Sequence, residues 1–144
     1  YGHFRSKSEL LAAIVEHELS HTLQAFTAKS PQQMAQVLAR YLDPKHVDHP
    51  EQGCAVPSLG AEIARADLGT RKTFERLMLD IKSRLQSHTG DEAAAWTIVA
   101  QAVGAVLIAR AMASDEARDA ILTATRNAAT ASLTQEGVAG RGRD

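Results

Sequence analysis

Two histidines four residues apart, with a glutamate between them, form the most suggestive chemical pattern in the chain: His17-Glu18-Leu19-Ser20-His21. On a helix, positions i and i+4 share a face, so both imidazoles could hold a zinc ion while Glu18 acts as a base. A zinc peptidase also needs a third ligand. Gln24 and Thr27 stand where the extended motif carries glycine and histidine. Glu51 and Glu62 offer carboxylates further on, but nothing in the pattern singles out either. The spacing fits an exposed polar helix face better than a catalytic metal centre, and no metal ligands are assigned. A second cluster, His46-Val47-Asp48-His49, lies in a polar stretch where the geometry is unconstrained. Cys54 precedes a helix start, where the helix dipole favours a thiolate; a small buried apolar residue is the commoner fate of a free cysteine. The chain has no nucleophile elbow, phosphate loop or dinucleotide fingerprint. Neither an enzyme nor a cofactor is expected.

The elements that must position these residues are helices. Apolar residues make up 44% of the 144 residues, enough for one core. Aromatics are 4%, and alanine is abundant, which favours an all-α fold over a sandwich or barrel. A formal charge of -1 excludes a polybasic coat or an acidic tail as the main property of the chain, though not a local basic patch. One cysteine excludes an internal disulfide framework and points to a reducing, cytoplasmic location. The chain opens on Tyr1 without a charged and apolar leader, and reads as the later part of a longer polypeptide.

About six helices are expected from the punctuation. Ser6-Lys7-Ser8-Glu9 is a capping box, followed by Leu10, Leu11, Ile14, Val15, Leu19, Leu23 and Phe26 at helical period. Ser30-Pro31 starts a second helix with Met34, Val37, Leu38, Tyr41 and Leu42 inward. Residues 43–53 read as an exposed, mobile loop. A third helix runs from Cys54 or Pro57 to Ala66, with Val56, Leu59 and Ile63 inward. Gly69 breaks the chain and Thr70 caps a fourth, with Phe74, Leu77, Met78, Ile81 and Leu85 inward, stopped by Gly90. Asp91 caps a fifth reaching Met112, and Ser114 or Asp115 caps a sixth ending near Gly137. The tail, 137–144, should fray.

The stretch from Ala93 to Ala113 carries one charge, Arg110. Its length matches a membrane span of about 20 residues. Its many alanines, with Gln101 and Arg110, oppose insertion, so a helix buried in protein is expected and no membrane partner. Small residues recur along it and along the next helix. Ala105, Ile108, Ala109, Met112, Ala120, Ala124 and Ala128 are the expected dimer interface, doubling two helices into a four-helix bundle.

The segment Tyr1-Gly2-His3-Phe4-Arg5-Ser6-Lys7-Ser8-Glu9-Leu10-Leu11 resembles the end of the DNA-binding domain of the tetracycline-repressor (TetR) family. There the pattern Tyr-x-His-Phe-x-Ser-Lys-x-x-Leu closes the recognition helix of a helix-turn-helix and opens the following long helix. Tyr1, His3, Phe4, Ser6, Lys7 and Leu10 occupy all six fixed positions. The stretch from Gly53 to Glu62 is similar to the G-C-x-x-x-x-L-x-x-E opening of a later helix in one large subgroup. These two segments carry the resemblance at motif level.

The resemblance implies a TetR-type C-terminal ligand-binding and dimerisation domain with the remnant of a helix-turn-helix at its start. Residues 1–5 would end the DNA-binding domain, which is mostly missing, and 6–136 would form the helical domain. Tyr1, His3 and Lys7 would contact DNA phosphates, Lys7 beside the free amides of a helix start. Phe4 would seat the recognition helix on the core. A small apolar effector would release a repressor from its operator. Its pocket residues are expected among Met34, Leu38, Tyr41, Leu59, Ile63, Phe74, Met78, Trp96 and Val99. The partners implied are operator DNA, a second copy of the chain and the effector. Two other classes stay open: a helical dimerisation module without DNA binding, and the zinc peptidase.

Overall fold

The computed structural model describes residues 3–49 and 54–139. Seven helices account for the secondary structure of those residues: α1 (Lys7–Ala25), α2 (Pro31–Tyr41), α3 (Pro44–Asp48), α4 (Val56–Ala64), α5 (Leu68–Thr89), α6 (Glu92–Ala111) and α7 (Asp115–Ala139). No strand occurs among the described residues. The fold is all-α, as composition and period imply.

Local chemistry explains most boundaries. Ser6 accepts the Glu9 amide at 3.2 Å, and Ser30 accepts the Gln33 amide at 3.1 Å. At both starts the third helical side chain reaches back to the amide one residue ahead of the cap. The Glu9 carboxylate takes the Arg5 amide at 2.6 Å, and the Gln33 carbonyl takes the Lys29 amide at 2.9 Å. Either way an orphan donor near the helix start is satisfied. Gly90 ends α5 in the left-handed region at φ 73°, where a side chain would be strained. Asp91 then caps α6 through the Ala94 amide at 3.0 Å, and Ser114 caps α7 through the Ala117 amide at 3.2 Å.

Three expectations change. Residues 44–48 are not loop: Asp43 accepts the Lys45 amide at 2.8 Å, Pro44 takes the first helical position, and α3 forms. The helix persists because Val47 is buried against α6, at 3% exposure. This seventh helix is the one the punctuation does not announce. Residues 50–53 lie outside the described set. The start of α5 is capped by Asp67, which accepts the Thr70 amide at 2.7 Å, so Gly69 lies inside the helix rather than breaking it. Asp is a stronger cap than Thr, and a glycine costs little in a first turn. Finally, α7 continues to Ala139, past Gly137; residues 140–144 lie outside the described set.

The core is built where α1, α2 and α6 meet α5, with α7 closing one side. Val15, Leu19, Met34, Leu38, Leu77, Leu85, Ile98 and Leu133 are almost fully buried there. A second cluster, Leu42, Val47, Ala102, Ala105, Val106, Ala109 and Leu122, joins α3 to α6 and α7. Three arginines tie the layers together. Arg84 of α5 reaches the Leu23 carbonyl at 2.5 Å and the Thr27 hydroxyl at 2.9 Å. Arg76 of α5 pairs with Glu16 of α1 at 2.7 Å. Arg118 of α7 pairs with Asp48 of α3 at 2.6 Å.

Helix α6 is long and apolar enough to cross a membrane, with a mean hydropathy of 1.6. It packs on α7, α5, α4 and α3, and leaves Trp96, Leu107 and Ile108 exposed.

Candidate functional site

The histidine pair comes first. His17 and His21 are exposed on α1. No group of three metal-ligating side chains gathers among the described residues; Glu51 lies outside them.

The structure's most distinctive site is internal. An apolar cavity of about 30 Å³ lies between α1, α2, α5 and α6, with Phe26, Leu38, Met78, Leu85, Ile98 and Val99 in its wall. A second, wider pocket of about 180 Å³ adjoins it on the α2–α3 side. Thr22, Phe26, Tyr41 and Cys54 belong to both walls. His21, Arg40 and His46 line only the outer pocket, so polarity rises towards the surface.

At the junction, three residues bring polar atoms into apolar surroundings. The Tyr41 ring stacks obliquely on His46, centroids 4.7 Å apart, and meets Phe26 edge-on at 6.2 Å. The Tyr41 hydroxyl is shielded from solvent and has no hydrogen-bond partner among the described residues. Burial first, and then the neighbouring Cys54, push its pKa well above the ordinary tyrosine value, so it remains a protonated donor. His46 accepts the Cys54 amide on Nε2 at 3.1 Å, which fixes the start of the chain into α4. Its Nδ1 is buried without a partner among the described residues. Burial, and then the charge of Arg110, lower the pKa of His46; the Tyr41 backbone and the Asp43 carboxylate oppose this. Arg110 is the lone basic residue of α6. Its Nε donates to the Val47 carbonyl at 3.3 Å and its Nη1 to the Ser58 hydroxyl at 3.1 Å, so one guanidinium braces α3 and α4 against α6.

Of the nine residues expected at a pocket, Leu38, Tyr41, Met78 and Val99 line the inner cavity. Met34 and Ile63 are buried in the core away from it, and Leu59 and Phe74 pack partly buried on that core. Trp96 faces outward at 37% exposure, its ring 5.9 Å from the Lys82 ammonium. Helix α6 is apolar nearly all round, so its period does not say which side turns inward. Sequence reasoning missed Thr22, Phe26, Cys54 and His46 as wall residues. Phe26 lay in the inward series of α1, but His46 and Cys54 meet only through the fold.

Of the expected dimer residues, Ile108, Met112, Ala120, Ala124 and Ala128 are exposed. Ala105 and Ala109 are 3% and 1% exposed, packed within the chain beside Leu122 and Val106. Small residues at that spacing let α7 and α3 approach α6, so these two have almost no surface left for a partner. A groove between α6 and α7 runs past Gly104, Ile108, Ala124 and Ala128. Of the expected DNA contacts, His3 and Lys7 are exposed ahead of and at the start of α1, and Phe4 is 36% exposed; Tyr1 lies outside the described residues.

No known protein-family model matches the chain, and no curated protein matches it significantly.

Proposed function

We propose that the chain is the ligand-responsive and dimerising part of a DNA-binding transcriptional regulator of TetR type, a repressor released by a small apolar effector. The observation that carries this reading is the span of α1. Its first turn, at Ser6 and Lys7, belongs to the segment that resembles the close of a helix-turn-helix. Its last turn puts Thr22 and Phe26 into the wall of the internal cavity. One continuous helix thus runs from the segment that carries the resemblance to the cavity. A ligand that fits the cavity differently in two tilts of α1 would shift the balance between them, by as much as its affinities differ and no more.

The outer faces of α6 and α7 support the dimeric part of the reading. Leu107, Ile108 and Met112 are 53%, 45% and 40% exposed, beside a groove floored by small residues. Two-fold pairing there would place two DNA heads at a fixed separation, about 34–36 Å for half-sites one turn apart. The same face favours a second reading, a helical dimerisation module with no DNA role.

Selection from a random duplex pool separates the two readings, using this chain joined to whatever sequence its gene encodes ahead of Tyr1. Enrichment of an inverted-repeat sequence is expected. Binding no stronger than to arbitrary DNA would remove the regulator reading and leave the dimerisation module.

A further inference from the structure

The outer pocket carries an unbalanced charge. Arg40, in the last turn of α2, stands in its wall with His21 of α1 and His46 of α3. No Asp or Glu side chain lines it among the described residues. Arg76, Arg84, Arg110 and Arg118 each hold an oxygen of a neighbouring segment. Arg40 and His21 make no such bond among the described residues. Arg110 adds to the positive field, acting on both His46 and Tyr41. The carboxylate that acts on His46 is that of Asp43. It weighs less there than Arg110 and is engaged in capping α3, through the Lys45 amide at 2.8 Å.

Depth reverses this character. Arg40 and His21 are exposed, whereas Phe26, Val37 and Cys54, in the same wall, are buried. Beyond Phe26 and Cys54 the inner cavity continues with a wholly apolar lining. The site therefore pairs a cationic mouth with a hydrocarbon floor. A carboxylate beside an exposed guanidinium keeps part of its hydration, so it escapes the cost of burying an ion. Among the described residues the wall has one permanent cation, which matches a single negative charge. Size narrows the class further. Cavities of about 150 Å³ hold benzene. The outer pocket, at about 180 Å³, takes a single ring in place.

We propose that the outer pocket binds a small single-ring monocarboxylate, its ring inward against Phe26 and Val37 and its carboxylate at the mouth beside Arg40 and His21. The proposal rests on the reading of these cavities as the effector site, and gives the apolar body of that effector an acidic head.

Benzoate, benzamide and toluene test it, because they share one ring and differ in the head group. The chain, as wild type, Arg40→Gln and Arg40→Lys, is titrated with each at low salt while methyl resonances of Ala25 and Val37 are followed by NMR. Arg40 is exposed, so neither replacement disturbs the core. The wild type should bind benzoate roughly fivefold more tightly than benzamide. Added salt should shrink that preference. Arg40→Gln should bring the two to within about twofold, with benzamide held as before, and Arg40→Lys should keep most of the preference. Equal affinities for benzoate and benzamide in the wild type, or a preference that survives in Arg40→Gln, would overturn the proposal. Shifts of the same methyls by benzamide or toluene would then still leave the cavities as an effector site. If none of the three probes moves those methyls, both the proposal and the effector site fall.

Discussion

The amide of Cys54 donates to Nε2 of His46 at 3.1 Å, joining the last turn of α3 to the start of α4. The bond exists only while that nitrogen is unprotonated. Burial, with the Arg110 charge, holds His46 below its ordinary value of 6.5. A histidine depressed in this way takes up its proton more readily in the unfolded chain. Its contribution is therefore complete above 6.5 and is lost as pH falls through the lower folded value. Thermal midpoints should drop between pH 7 and pH 5, and His46→Gln should drop less over the same interval. An identical slope in the variant would assign the dependence to other groups.

Arg110→Met should loosen α3 and α4 from α6. The guanidinium makes a partly buried charge-assisted bond to the Val47 carbonyl, worth about 1.5–3 kcal/mol, and an exposed, weaker one to the Ser58 hydroxyl. Hydrophobic replacement returns part of this, so a net loss of about 1–2 kcal/mol is expected in denaturant unfolding. The same variant removes a positive field from His46, whose pKa should rise in an NMR titration. A stability loss without that rise would mean the field at His46 has another source.

Ser30→Ala removes the acceptor for the Gln33 amide at the start of α2. Lost N-caps cost about 1 kcal/mol, and Ser30→Asp should restore most of it. If the alanine variant unfolds at the wild-type denaturant concentration, the cap carries no weight.

Gly104 distinguishes folding from assembly. A Cβ built there meets nothing within 4 Å in the single chain. Gly104→Ala should leave each protomer intact or firmer, by up to about 1 kcal/mol. Gly104→Leu should fill the α6–α7 groove and shift a dimer towards monomer in sedimentation. A Leu variant as dimeric as the wild type would place the interface elsewhere.

Under the proposed regulator reading, Lys7→Ala in the chain joined to whatever its gene encodes ahead of Tyr1 should weaken all duplex sequences about equally and flatten the salt dependence by about one ion. A loss confined to the selected sequence would contradict a phosphate role for Lys7.

Much of the architecture was legible because helix ends are local chemistry. Ser6, Ser30, Gly90, Asp91 and Ser114 each mark a terminus through bonds spanning no more than four residues. Helix α3 escaped because five residues carry too short a period, and what holds it is Val47 against a helix some 60 positions away. The cavity was legible in part. Leu38, Tyr41, Met78 and Val99 lie on inward stripes, whereas Trp96 sits on a helix with no polar side to set its phase. His46 and Cys54 acquire meaning only from each other. The expected small-residue face split for a related reason: spacing identifies alanines that permit close approach, but not whether the neighbour is α7, α3 or another copy.

The grip of Arg84 on the Leu23 carbonyl gives α1 a fulcrum near one end. Sixteen residues separate Leu23 from Lys7, a rigid arm of about 24 Å at helical rise. Each degree of tilt about that point carries the Lys7 end through about 0.4 Å, by the same geometry. Thr22 and Phe26 flank the pivot, with Phe26 on the short side of the arm. A side-chain adjustment too small to open the core therefore becomes a displacement at Lys7 comparable to a hydrogen-bond length once the tilt reaches several degrees.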